Sequence, residues 1–418
     1  MKIFKRLTVM AICFGFLLNS MLVFADSPDK NETEDKKIVT EYNSDDLTDP
    51  IIIDVTETVA TVAAELEIPA KSCILMDVAT GTVLYEKDSH LKLPPASITK
   101  VMALLLVMEA IDAGQLTLDT VLTASPHACS MGGSQIWLEP NEQMSVHDLL
   151  KATVIGSAND ATVVLGEAIA GSEEGFVALM NERAEQLGLA DTHFVNCSGL
   201  DADGHLTSAY DIAVMSRELI KYDLIKNYST VWMDTLRNGE SELVNTNKLV
   251  RYYEGCTGLK TGTTSGAGAC LTATAERKGT ELVAVVMGAA NSNDRFNGAR
   301  KLLDFGFANW SNVTVTADMS TVNEIPIKGG VLDFVVPQCN EEKTFLIEKS
   351  QIGNLSQITE LPEELVAPIL EGQQIGVTRI MLNGKEIGTV KIVAGSSVEK
   401  NTFFKVFADL IKRCFSLC

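Results

Sequence analysis

The apolar positions of this chain change rhythm along its length. Cys73-Ile74-Leu75-Met76-Asp77 and Thr82-Val83-Leu84-Tyr85-Glu86 read as two short strands, with Ala79-Thr80-Gly81 turning between them. From Ser97 through Met108 almost every position is apolar, which predicts a helix buried on all sides, with Gly114 as its stop. Helical periodicity then dominates from about 145 to 225. Strands return at 258–263, 269–275 and 281–287, separated by Ser265-Gly266-Ala267-Gly268 and Arg277-Lys278-Gly279. Such a meander can join the first hairpin in one antiparallel sheet covered by helices, an α+β arrangement. Beyond Trp310 the pattern shortens to alternating strands at 313–317, 330–336, 344–348, 377–381 and 388–393, the texture of a small β-sandwich. The final segment is amphipathic. Phe403, Phe404, Phe407, Leu410, Ile411, Cys414, Phe415 and Cys418 fall on one helical side, and Lys405, Asp409, Lys412, Arg413 and Ser416 on the other. It is too short and too polar to span a bilayer.

The N-terminus sets the expected compartment. Lys2, Lys5 and Arg6 precede a largely apolar stretch from Leu7 to Phe24, and Val23-Phe24-Ala25 offers small residues at a cleavage site. Residues 1–25 therefore read as a secretory signal, with an uncleaved anchor helix as the alternative, and Cys13 lies too early in the apolar run for a lipid-modified cysteine. Residues 26–58 are acidic and polar, a solvated linker. The division expected from these shifts is a body at 59–312, a β-rich domain at 313–396 and a terminal helix at 397–418. A net charge of −21 argues against nucleic acid, whose binders carry a basic face. The nine cysteines include no C-x-x-C pair, and the histidines show no ligand spacing, so no metal or cofactor is expected. Cys73 and Cys270 read as buried free thiols, while Cys256 and Cys270 flank one predicted strand and stand as a candidate facing pair.

Three short motifs carry candidate chemistry. Pro94-Pro95-Ala96-Ser97-Ile98-Thr99-Lys100 places Ser97 and Lys100 three apart at the head of the apolar helix, on one helical face. The plain reading is capping, with Lys100 outside; the chemical reading is a serine nucleophile with a lysine base. Serine-x-x-lysine recurs at Ser27–Lys30, Ser89–Lys92 and Ser397–Lys400, so the pattern alone decides nothing. Ser157-Ala158-Asn159 lies between two helical stretches, where Asn159 and Asp160 suit a cap. Lys260-Thr261-Gly262 lies on a predicted strand, where an exposed lysine and a turn glycine are the plain reading. Taken together they supply a nucleophile, a base, oxyanion donors and a second cation. Two like charges lower an amine's pKa, and a strand glycine admits a substrate backbone.

The three motifs, in this order at 97, 157 and 260, resemble those of the penicillin-recognising serine enzymes. The surrounding Pro95-Ala96-Ser97-Ile98-Thr99-Lys100-Val101-Met102, Ser157-Ala158-Asn159-Asp160-Ala161 and Gly258-Leu259-Lys260-Thr261-Gly262-Thr263-Thr264 are similar to the D-alanyl-D-alanine carboxypeptidases, the low-molecular-mass penicillin-binding proteins. So are Met180-Asn181, Leu187-Gly188-Leu189, Ser198-Gly199-Leu200 and Leu302-Leu303-Asp304-Phe305-Gly306-Phe307. The resemblance implies a β-lactamase/DD-peptidase-like domain with helices on both faces of its sheet. It implies Ser97 as nucleophile, Lys100 as base and Ser157 as proton relay. Asn159, Lys260, Thr261, Gly262, Thr263 and Arg295 would bind substrate, a stem peptide ending in D-Ala-D-Ala, with β-lactams as inhibitors. It also implies export to the outer face of the cytoplasmic membrane, with the terminal helix lying on that surface. A class A β-lactamase is the nearest rival, but its glutamate-x-x-asparagine loop is missing where His193-Phe194-Val195-Asn196-Cys197 stands. A strict transpeptidase and a non-catalytic wall-binding protein are the other readings. One departure is Thr257, where many family members have aspartate.

Overall fold

The computed structural model describes residues 66–403 apart from Thr321, together with Phe407 and Ile411. The expected signal at 1–25, the linker at 26–58 and most of the terminal helix lie outside the described residues.

A five-stranded sheet forms the centre of the body. Its order is β2-β1-β5-β4-β3, with β1 at Ser72–Asp77, β2 at Val83–Lys87, β3 at Cys256–Thr264, β4 at Gly268–Arg277 and β5 at Thr280–Ala289. Every pairing in it is antiparallel. The side chains of β1 and β5 alternate between two apolar cores, as a strand period of two requires. Ile74, Met76, Val283, Val285 and Met287 enter one core. Cys73, Leu75, Leu282, Ala284 and Val286 enter the other. The first is covered by helices α1 (Lys100–Asp112), α2 (Val146–Val154), α3 (Asn159–Ala170), α4 (Glu173–Gln186) and α5 (Ala209–Ile220). The second is covered by α6 (Ser292–Asn309) through Phe296, Ala299, Leu302, Leu303 and Phe307. This is the α+β arrangement with helices on both faces that the sequence predicts.

Helix α1 runs through the first core. Val101, Met102, Ala103, Leu104, Leu105, Val107 and Met108 are all buried, which is why its sequence shows no polar face. A single 3₁₀ turn at Ala96–Thr99 precedes it.

The β-rich region begins directly after α6. Asn312 joins it to the sheet, its amide donating to Asp77 Oδ1 at 2.9 Å and its N–H to Thr280 Oγ1 at 2.8 Å. Strand β6 (Trp310–Val315) pairs with β10 (Lys343–Glu348). Strands β7 (Ile325–Lys328), β8 (Phe334–Val335) and β12 (Leu365–Val366) make a second small sheet. Strands β9 (Pro337–Gln338), β14 (Lys385–Ala394), β13 (Gln374–Leu382) and β11 (Leu355–Glu360) make a third. The strand expected at 330–336 is corrected. Only Phe334–Val335 pairs as a strand, because Gly329 turns the chain and Asp333 O accepts the Ile327 N–H at 2.8 Å, leaving Leu332 and Val336 exposed. At the C-terminal end Phe403, Phe407 and Ile411 are helical and exposed at steps of four, the apolar side the sequence predicts. Among the described residues no helix is long and apolar enough to cross a membrane.

Candidate active site

The nucleophile candidate stands in the turn that starts α1. Ser97 is half-buried and does not cap the helix, since the turn has no side-chain cap. Lys100, far from lying outside, is fully buried. Three oxygens surround its amine: Asn159 Oδ1 at 2.5 Å, the Ser198 carbonyl at 2.6 Å and Ser97 Oγ at 3.1 Å. The first two can only accept. A neutral amine has two N–H groups and one lone pair, so it satisfies both acceptors and leaves the lone pair for the Ser97 hydroxyl proton. Burial lowers the Lys100 pKa to about 7, against smaller upward pulls from Cys197 and Asp160. The amine is therefore available as a base near neutral pH.

Asn159 opens α3 without capping it; its side chain is used elsewhere. Its amide donates to Gly132 O at 2.6 Å, which turns Oδ1 toward Lys100. Asp160 is also buried, and its carboxylate accepts the Ile136 and Leu138 N–H groups at 3.2 and 3.1 Å, fixing the 132–138 loop beside the site. Ser157 is buried in the left-handed region at φ 61°. A serine there costs about 1–3 kcal/mol, a strain of the kind found at functional sites. The turn is held by the Ala158 N–H on Ala152 O at 3.0 Å and the Asn159 N–H on Ser134 O at 2.7 Å.

Strand β3 lies at the open edge of the sheet and packs against the Ser97 turn. Lys260 is buried, not an exposed strand lysine, with its amine 3.4 Å from Thr261 O. Burial, then the charges of Lys100 and Arg295, hold its pKa well below the usual lysine range. The like-charge effect expected on Lys100 thus falls on Lys260, while burial accounts for Lys100. Gly262 serves the fold as well as any ligand: a Cβ there would lie 2.8 Å from Ser97 N and 2.9 Å from Ala96 Cβ, so only glycine lets β3 reach the turn. Gly199, at φ +90°, would place a Cβ 1.9 Å from Ala96 O and 2.8 Å from Ser97 N. Both glycines thus abut the Ala96–Ser97 peptide, and neither position has room for a side chain.

Thr261 is buried and donates to Thr246 Oγ1 at 2.7 Å, whereas Thr263 is exposed. Arg295 on α6 is buried and reaches β3, donating to Gly262 O at 3.1 Å and Thr263 Oγ1 at 2.8 Å. The guanidinium is a permanent cation at that end of the strand. Thr257, the departure noted above, donates to Thr274 Oγ1 at 2.7 Å, within the sheet and away from Lys100. Cys256 and Cys270 do not form a pair. Cys256 lies opposite Ala275 and Cys270 opposite Gly262, and both are free thiols.

The structure thus gathers Ser97, Lys100 and Asn159 in direct contact, and brings β3 with Arg295 against the same turn. Sequence reasoning missed two oxygen acceptors, Ser198 O and Gly132 O, because backbone groups leave no residue-type signal. It gave Asp160 only a capping role, and none to Asp201, which joins the 198–204 loop to the β3–β4 turn by accepting from Thr264 Oγ1 at 2.6 Å and the Gly266 N–H at 3.2 Å.

Comparison with known proteins agrees with this geometry. Residues 58–291 match the D-alanyl-D-alanine carboxypeptidase family, and residues 310–400 match the penicillin-binding protein 5 C-terminal domain. The chain is 39% identical over 344 residues to the D-alanyl-D-alanine carboxypeptidase DacF of Bacillus subtilis, covering 81% of this chain and 88% of that protein. The structure of penicillin binding protein 5 from Haemophilus influenzae matches at a TM-score of 0.65 and 30% identity, over 80% of this chain and 98% of that one. Penicillin-binding protein D2 from Listeria monocytogenes, solved in the ampicillin-bound form, matches at 0.53 and 33% identity, over 58% and 99%. By sequence and by fold, the chain belongs to the D-alanyl-D-alanine carboxypeptidase family.

Proposed function

We propose that this chain removes the terminal D-alanine from peptidoglycan stem peptides ending in D-Ala-D-Ala, through an acyl-enzyme on Ser97. The observation that carries this reading is the Lys100 amine, buried between two acceptor-only oxygens with its third neighbour the Ser97 hydroxyl. Ser97 Oγ attacks the carbonyl between the two alanines as Lys100 takes its proton. The Ser97 and Thr263 N–H groups receive the oxyanion. The amide C–N bond then breaks, an ester forms on Oγ, and Ser157 relays a proton to the departing D-alanine amine. Water cleaves the ester with Lys100 again as base. Arg295, with Thr263 beside it, receives the substrate's terminal carboxylate, while Lys260, Thr261 and Gly262 line the strand side and Asn159 holds the substrate amide. β-Lactams acylate the same serine, as the ampicillin-bound relative supports.

Residues 1–25 act as an export signal, residues 26–58 as a linker, residues 59–312 as the catalytic unit and residues 313–396 as a β-rich spacer. The helix expected at 397–418 does not begin at 397, because Val398 is buried in the β-rich core and bridged to Ile369 while Lys400 is bridged to Gly330. The segment from Phe403 onward rests on the outer face of the cytoplasmic membrane, which the exposed Phe403, Phe407 and Ile411 support. The test is D-alanine release from a pentapeptide ending in D-Ala-D-Ala. The chain is expected to remove one alanine and the Ser97→Ala variant none; equal release by both would overturn the reading.

The same base predicts a pH profile. Lys100 works deprotonated and its pKa is about 7, so the acylation rate constant rises with pH, about tenfold per unit below neutrality, and levels above it. Stopped-flow acylation by a chromogenic β-lactam across about pH 5 to 9 measures this. A profile flat through pH 7 would contradict the assignment of Lys100.

A further inference from the structure

Behind the Ser97 turn runs a chain of hydrogen bonds that the proposed mechanism does not use. His205 is buried, 2% exposed, and both ring nitrogens are engaged. Nδ1 lies 2.9 Å from the Val195 backbone nitrogen, whose N–H donates to it, so the ring proton sits on Nε2. Nε2 is 2.8 Å from Thr99 Oγ1, and the ring donates there. The Thr99 hydroxyl, 1% exposed, in turn donates to Ala96 O at 2.8 Å. Every link has its donor and acceptor assigned by the next.

The end of this chain is what gives it a consequence. Ala96 O and the Ser97 N–H belong to the same planar peptide, so fixing one fixes the direction of the other. A hydrogen bond accepted at the carbonyl also polarises the amide and makes its N–H a better donor, since linked hydrogen bonds strengthen one another. Ala96 itself holds φ 51°, a left-handed conformation costly for alanine, so this peptide plane needs an external tie. We propose that Thr99 and His205 are positioning residues that orient and polarise the Ala96–Ser97 peptide, strengthening the Ser97 N–H as oxyanion donor. Burial, aided by the charge of His193, lowers the His205 pKa to about 4, which keeps the ring neutral and its single proton on Nε2 at neutral pH. This inference rests on Ser97 as the acylated residue.

The test uses the full chain and the acyl-enzyme formed with benzylpenicillin labelled with ¹³C at the reacting carbonyl. Difference infrared spectroscopy reads the ester carbonyl stretch, which falls as donors in the oxyanion site strengthen. Thr99→Val keeps the shape and removes the hydroxyl. It is expected to slow acylation about tenfold, less than loss of a whole oxyanion donor, and to move the stretch to higher wavenumber. Thr99→Ser should restore both. His205→Phe leaves Thr99 in place and should move both readouts the same way by less, which keeps a second reading where Thr99→Val yields no folded protein. An unchanged stretch in a folded variant, or a rate loss that Thr99→Ser does not restore, would overturn the proposal. Absence of any acyl-enzyme in the wild-type chain would instead strike the assignment of Ser97.

Discussion

Lys100→Met is expected to lower acylation of Ser97 by about 10²–10⁴-fold, the usual contribution of a positioned general base. The nucleophile, Gly262 and the oxyanion donors all remain, so substrate binding should change far less than the rate. The same variant carries an opposite signature in stability. Lys100 titrates at 10.5 when free and at about 7 in the fold, because burial disfavours the ammonium. Below pH 7 the folded chain must carry that buried charge, and between 7 and 10.5 it must release a proton that the unfolded chain keeps. The resulting cost, a few kcal/mol, is full below pH 7 and disappears as pH approaches 10.5. Methionine removes it but leaves Asn159 Oδ1 and Ser198 O without their donor, at about 1–3 kcal/mol each. The decisive quantity is therefore the pH dependence of the difference. Urea unfolding of both proteins at about pH 6 and pH 9 should show the wild type gaining on the variant as pH rises. A difference independent of pH would contradict a Lys100 pKa depressed by burial.

Gly199→Ala is the second large effect. The added methyl would fall 1.9 Å from Ala96 O at a φ of +90°, so strain and collision act together. Ala96 O has little room to retreat, since the Thr99 hydroxyl donates to it at 2.8 Å and Gly262 of β3 packs against the same turn. Each term is about 1–3 kcal/mol, giving a loss on the order of 2–6 kcal/mol. Because the displaced atoms adjoin Ser97 N, acylation should fall about 10²-fold even in the protein that remains folded. Chemical denaturation and β-lactam acylation at low temperature measure the two losses separately. A variant that loses stability but acylates at the wild-type rate would show that the close fit at Gly199 serves folding alone.

Much of this was legible in the residues, for physical reasons that differ between regions. Helix α1 and strands β1 and β5 are read directly, because each is buried on nearly all sides and mostly apolar. Strands β2, β3 and β4 are read from shorter apolar stretches and the turns that bound them. The β-rich region was legible only in part. Strand β11 at Leu355–Glu360 lies at a sheet edge with mostly exposed side chains, so Leu355-Ser356-Gln357-Ile358-Thr359-Glu360 shows little apolar alternation. The run at 330–336 looks like a strand but is mostly turn, with Leu332, Phe334 and Val336 left facing solvent while Val335 enters the core. The motifs at Ser97, Ser157 and Lys260 were found because their chemistry depends on residue type and order. Their surroundings were not, because burial of Lys100 and Lys260 comes from packing between distant segments, and Ser198 and Gly132 act through backbone oxygens. The capping readings of Ser97 and Asn159 failed for the same reason: each side chain is turned toward Lys100 by contacts that the local sequence does not reveal.

The most direct test of the central claim is the intact mass of the full chain after exposure to benzylpenicillin, followed over time beside Ser97→Ala. A single penicilloyl adduct is expected to persist on the wild-type chain and to be missing from the variant. No adduct on folded wild-type protein, or an adduct that survives the loss of Ser97, would contradict it.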